Sequence, residues 1–161
     1  MTVIGVDVPG KKIGAFAVYN TVINALLDSG DITFGSPHGE ATDYQAMWHT
    51  LERRRRKYNA DLIVIEHPFL HVIAQNVGAV KMWAAMAAIP YYMITASSAR
   101  KTVLGSANAP AGTEKKDRAK ANKLLVIQHM ARRFGRSLTQ HQADAALYAV
   151  AGSRLYGNAR T

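Results

Sequence analysis

Two apolar runs in this chain each stop at a single carboxylate. The first, Thr2-Val3-Ile4-Gly5-Val6-Asp7, passes through Val8-Pro9-Gly10 to another apolar run, Ile13-Gly14-Ala15-Phe16-Ala17-Val18-Tyr19. The pair predicts a hairpin with Asp7 at the end of a buried strand. A carboxylate there needs a cation, a metal or hydrogen-bonding backbone, although Asp before Pro-Gly is also an ordinary turn initiator, and this stretch leaves both readings open. The second run, Asp61-Leu62-Ile63-Val64-Ile65-Glu66, is continuously apolar, as in strands covered on both faces, and again ends in acid. If the two strands lie parallel and adjacent, Asp7 and Glu66 emerge at one carboxyl edge, where ligand sites of open α/β sheets collect.

The remaining pattern predicts short strands at 22–27 and 32–34 around an Asp28-Ser29-Gly30-Asp31 turn, then a helix over 44–58 capped by Thr42 or Asp43. His67 to His71 reads as a loop, 76–88 as an apolar helix, Tyr91 to Thr95 as another central strand, and 97–104 as a short helix. Residues 105–112 form a loop of small residues. Thr113 is placed to cap a basic helix that starts at Glu114 and continues apolar through Leu124, Leu125, Ile127 and Met130. A last helix spans 140–153, leaving 154–161 as a tail. Strands alternating with helices predict an α/β fold, a mixed sheet flanked by helices, in one domain over residues 1–153.

Composition changes the picture in one respect. The 161 residues are 48% hydrophobic and 19% charged, which suits one full core, but the formal charge is +9, which makes a polyanion the first partner to consider. Nucleic acid fits better than membrane: the apolar stretch 84–93 is too short to span a bilayer and contains Pro90. The opening residues lack the charged lead and apolar run of a signal peptide, so a cytoplasmic, nucleoid-associated location is expected, or a host cytoplasm for a viral chain. Without cysteine, thiolate metal sites are excluded. The run Arg53-Arg54-Arg55-Arg56-Lys57 is ordinarily a solvated helix face, and here it adds to the attraction for phosphates.

In the last helix His141 and Asp144 are three residues apart and share a face, with Ala145, Ala146, Leu147 and Ala149 as packing residues. An Asp near a helix start is usually a dipole or capping residue. With few acids in the chain and two already at strand ends, Asp144 instead completes a set of oxygen donors suited to Mg²⁺. His67 and His71, in the predicted loop, and His129, mid-helix, are not assigned as ligands.

Four motifs together resemble those of RuvC-type Holliday-junction resolvases of the RNase H-like superfamily: Ile4-Gly5-Val6-Asp7-x-Pro-Gly, Val64-Ile65-Glu66-x-x-Phe69, Lys101-Thr102-Val103-x-Gly105 and His141-Gln142-Ala143-Asp144-Ala145. Their order and spacing match the family over almost the whole chain. The resemblance implies an RNase H-like mixed five-stranded sheet flanked by helices. It implies metal-binding catalytic carboxylates at Asp7, Glu66 and Asp144, and His141 at a fourth catalytic and metal-binding position that is Asp or His in the family. It also implies DNA contacts from Phe69, stacked on bases at the junction centre, from Arg100 or Lys101, and from Lys115 or Lys116, with Arg118 beside them on the basic helix. The chain departs from the family in the shorter pattern after Asp144, the alanines around Trp83 and the arginine run.

The implied reaction is hydrolysis of a DNA phosphodiester at a four-way junction, leaving 5′-phosphate and 3′-hydroxyl ends, with two Mg²⁺ ions per site and Mn²⁺ as a substitute. A two-fold junction calls for a homodimer. Helix 76–88, with Val77, Val80, Trp83, Met86 and Ala87 and the small residues Gly78, Ala79, Ala84 and Ala85, is the expected interface. A branch-migration helicase is a further expected partner. Competing readings are another RNase H-like nuclease acting on RNA–DNA hybrid or other DNA, and a non-catalytic junction-binding module. The opening hairpin also resembles sugar-kinase and actin-like ATPases, whose two domains do not fit in 161 residues.

Overall fold

A computed structural model describes residues 1–8, 13–34, 43–67, 71–106 and 112–157. Its strands are β1 (Thr2–Asp7), β2 (Ile13–Asn20), β3 (Ala25–Thr33), β4 (Leu62–Glu66) and β5 (Tyr91–Ile94), in one mixed sheet of order β3-β2-β1-β4-β5. The helices are α1 (Asp43–Tyr58), α2 (His71–Met86), α3 (Ala96–Leu104), α4 (Arg118–Phe134) and α5 (Gln140–Tyr156). β1 is central, antiparallel to β2 and parallel to β4. The expected α/β fold, a mixed five-stranded sheet flanked by helices, is therefore present, with helices on both faces.

Strand alternation decides what the acids can meet. Ile4 and Val6 of β1 and Ile63 and Ile65 of β4 join the core under α1 and α2, whereas Val3, Leu62 and Val64 join the core under α3, α4 and α5. By the two-residue period, Asp7 and Glu66 face the α5 side. Val6 pairs with Ile65, so the next step along brings Asp7 beside Glu66.

α5 starts with a capping box in which the Thr139 hydroxyl accepts from the Gln142 backbone N–H and the Gln142 side-chain oxygen accepts from the Thr139 backbone N–H. It then crosses the sheet at backbone contact. A Cβ on Gly5 would stand 2.0 Å from the Ala145 carbonyl oxygen and 2.6 Å from the Ala149 nitrogen, and one on Gly152 would stand 2.2 Å from Val64 Cγ2. The alanine-rich stretch from Ala145 to Gly152 is accordingly buried all round, against the sheet on one side and α3 and α4 on the other.

Several predicted elements differ. The strands expected at 22–27 and 32–34 are one strand, β3, because the chain reverses earlier, at residues 21–24. There Asn20 Oδ1 accepts from the Val22 and Ile23 amides (2.9 and 3.2 Å) and Asn24 takes a φ of 51°. The expected turn residues Asp28 and Asp31 are instead satisfied from within an edge strand: Asp28 meets Arg54 and Tyr58 (3.4 Å each) and Asp31 accepts from Gln142 (3.0 Å). β5 is an edge strand, not a central one. α2 begins at His71, inside the expected loop, and α4 at Arg118, after a turn closed by the Asp117 amide on Glu114. α5 runs on to Tyr156, so part of the expected tail belongs to the domain: Arg154 donates to the Thr102 carbonyl (2.8 Å) and Tyr156 stacks on Tyr92 at 4.1 Å.

Two surface expectations change as well. Val77, Val80, Trp83 and Ala84 of α2 are core residues, and among its described side chains the large apolar ones left exposed are Met82 (58%) and Met86 (68%). Of the arginine run, Arg54 lies over the Phe16 ring as well as on Asp28. Arg55 and Arg56 both bind Glu52, at 2.7 and 2.5 Å. The Arg55 hydrogen bond is the main cause holding Glu52 down at about 2. These three cations serve the domain's own surface before any ligand.

Candidate active site

At the carboxyl edge of β1 and β4 the structure opens a cleft of about 400 Å³. Its acidic wall is Asp7, Glu66 and Asp144, with His141 and Tyr148. Its opposite wall is α3 and α4, through Arg100, Asn122 and Lys123. All four residues assigned to catalysis thus converge, two delivered by strand ends and two by the first turns of α5.

Asp7 is buried and joined to His141, Nδ1 to Oδ2, at 2.6 Å. That hydrogen bond is the main cause raising the His141 pKa above the usual imidazole value. Glu66 hydrogen-bonds both Asp7 and the Tyr148 hydroxyl. Burial, then the Asp7 charge, pushes Glu66 up to about 8, and the same two causes push Asp144 up to about 7 against the pull of His141, Arg100 and Lys123. Burial pushes the Tyr148 hydroxyl far up, so it remains a donor.

Among the described residues no three His, Asp or Glu side chains are spaced as metal ligands. The acids instead lean on one another, on His141 and on Tyr148. Even so, the donor set suits a hard divalent cation: three largely buried carboxylates, two of them costly to ionise together, gain most from a compact positive charge.

The cations expected at the DNA surface separate. Arg100 lines the cleft, while Lys101 is exposed outside its lining. Lys115, Lys116 and Arg118 are exposed at the start of α4, where Lys116 pairs with Glu114 at 3.0 Å and Arg118 donates to the Thr113 carbonyl at 3.3 Å. Phe69 lies outside the described residues, as do Pro9 and Gly10 of the opening turn. Lys123, Asn122 and Tyr148 were not anticipated. The signal for the first two was spacing: Ala119, Asn122, Lys123 and Val126 form one helical stripe. Tyr148 stands four residues from Asp144 on the same face, and its place in an alanine-rich run concealed it. Of the other histidines, His67 follows β4 on the surface, and burial together with Arg133 and Arg132 holds His129 below the usual imidazole value.

A pH dependence follows. Glu66 and Asp144 have folded pKa values above their unfolded ones, so their contribution to stability is complete below about 4 and is lost as pH rises through 7 to 8. In chelator, Glu66→Gln should therefore melt with the parent at pH 5 and above it at pH 8. At about 1.4 kcal/mol per pKa unit, discounted for coupling, the gain is on the order of 2 kcal/mol, or roughly 4–8 °C at this size. Parallel melting curves across that range, read by differential scanning calorimetry, would contradict the acid cluster.

No family model and no curated protein matches the sequence. Solved structures do match. Thermus thermophilus RuvC aligns with a TM-score of 0.72 at 16% identity, covering 100% of this chain and 98% of that one. T. thermophilus RuvC in complex with Holliday junction substrate gives 0.70 at 16%, over 97% and 96%. The fowlpox virus Holliday junction resolvase gives 0.57 at 14%, over the whole of both chains. The chain shares its fold with these resolvase structures.

Proposed function

We propose that this chain is a metal-dependent endonuclease that resolves four-way DNA junctions. The observation that carries the reading is the convergence of Asp7, Glu66, Asp144 and His141 at one sheet edge, opposite a cationic wall, in a chain of formal charge +9. The fold neighbours include two structures named as complexes with Holliday junction DNA. Asp7, on the central strand, would hold two Mg²⁺ ions together with Glu66 and Asp144, Asp7 serving both ions and the other two acids one each, and Mn²⁺ would substitute. When bound, the ions activate water, shield the phosphate and stabilise the leaving 3′ oxygen.

The chain's own residues supply the rest. Arg100 and Lys123, which line the cleft, draw the phosphate backbone over the acids, and the exposed Lys101, Lys115, Lys116 and Arg118 add to the attraction. A neutral His141 whose Nδ1–H donates to Asp7 keeps its lone pair on Nε2, the atom that would orient the attacking water or receive its proton. Phe69, two residues past exposed His67, is assigned to base stacking. The working unit is a homodimer, because a two-fold substrate needs two sites; the face for it is now the exposed Met82 and Met86 side of α2. A branch-migration helicase partner, a cytoplasmic or nucleoid location and the 5′-phosphate and 3′-hydroxyl products complete the proposal.

The test is a substrate panel: a four-way junction, the matched duplex and an RNA–DNA hybrid, each incubated with Mg²⁺. Symmetric nicking of the junction alone is the expected result. Cutting of the hybrid in preference to the junction would replace this reading with a ribonuclease, and no cutting of any substrate by folded protein would leave a binding module.

A further inference from the structure

Tyr148 is 2% exposed and sits at the back of the cleft, four residues along α5 from Asp144. A buried phenol hydroxyl must find a partner, and here that partner is Glu66. The ring belongs to the core packed on α5, among Ala145, Leu147 and Ala149 and the Val64 side chain of β4. The ring is therefore fixed by packing, and the hydroxyl carries that rigidity across from α5 to the carboxylate at the end of β4. Glu66 is the last residue of its strand, with a side chain longer than those of Asp7 and Asp144, and its other hydrogen-bond partner is a fellow acid, Asp7.

We infer that Tyr148 is the positioning residue for Glu66, holding its carboxylate in the orientation that binds a divalent cation. The inference rests on the metal-site reading above and assigns the affinity of that site, in part, to a side chain that touches neither ion nor DNA. Outer partners that orient ligating carboxylates typically change metal affinity by about 10–100-fold when lost. A packing residue would give a different result: removing the hydroxyl would leave affinity unchanged and alter only the melting temperature.

The experiment is a Mn²⁺ titration without DNA, followed by water-proton relaxation and calorimetry, on the parent, Tyr148→Phe, Glu66→Gln and the double variant. Tyr148→Phe keeps the ring, so the core is retained, and circular dichroism checks this. The expected result is a roughly 10–100-fold weaker Mn²⁺ affinity in Tyr148→Phe, and no further loss when the same change is made in Glu66→Gln, because Tyr148 acts through that carboxylate. An unchanged affinity in Tyr148→Phe, or losses that simply add in the double variant, would overturn the inference while Glu66→Gln alone still weakens binding. If Glu66→Gln itself binds Mn²⁺ like the parent, the metal-site reading fails first and takes the inference with it.

Discussion

Asp144→Asn should bind a four-way junction at least as tightly as the parent and fail to cut it. The substitution keeps the shape of a half-buried side chain that lines the cleft with His141, Arg100 and Lys123 and removes only its charge. Loss of a ligand should exceed the roughly 10–100-fold that loss of an outer partner costs. Binding should survive because the acids repel the phosphate, whereas the opposite wall attracts it. Lys123→Ala is the complementary change: it leaves the acids in place, weakens junction binding and lowers the salt slope of log K by about 0.9 if Lys123 neutralises one phosphate. The measurement is a junction titration across salt concentrations beside a Mg²⁺ cleavage assay. Cleavage by Asp144→Asn at the parental rate would remove that residue from the site, and loss of junction binding by the folded variant would make it structural.

Asp7 and Glu66 were legible because each ends a run that is otherwise apolar, and the turn chemistry of Asp before Pro-Gly accounts for only the first of them. Continuous apolar runs carry no visible alternation, however, so the sequence pattern did not tell which face Asp7 and Glu66 share; the register of β1 against β4 does. The same ambiguity misplaced the apolar surface of α2, whose Val77, Val80 and Trp83 fill the core beneath the sheet instead of facing a second copy. Asp28-Ser29-Gly30-Asp31 has turn chemistry, yet partners on α1 and α5 satisfy it as an edge strand, a contact between residues far apart in the chain that local pattern does not encode. Tyr148 and Lys123 were hidden for a related reason. Each lies on a helix whose composition reads as packing or as a solvated face, and only the rotation of that helix against the sheet turns the side chain into the cleft.

Gly5→Ala should cost more stability than Gly30→Ala or Gly152→Ala, whose added carbons would meet side chains and not backbone, and should remove cleavage with it. The added carbon would lie 2.0 Å from the Ala145 carbonyl oxygen and 2.6 Å from the Ala149 nitrogen. Those atoms are backbone within a capped and fully packed helix, so no flexible side chain can yield. Relief requires α5 to lift from β1, a strain at or above the roughly 1–3 kcal/mol of ordinary overpacking, which corresponds to a fall of about 2–12 °C in melting temperature. The consequence for the site is geometric. Asp7 is two residues beyond Gly5 on the same face, and Asp144 directly precedes Ala145, so the contact that Gly5 allows is the one that brings the two acids and His141 together. A lifted helix should lengthen the 2.6 Å bond between His141 and Asp7, and with it the imidazole's raised pKa should relax toward the ordinary value. Calorimetry and a histidine NMR titration of Gly5→Ala, performed below its melting temperature, test both parts. A variant that melts with the parent and keeps the raised His141 pKa would show that α5 does not rest on β1 at this glycine.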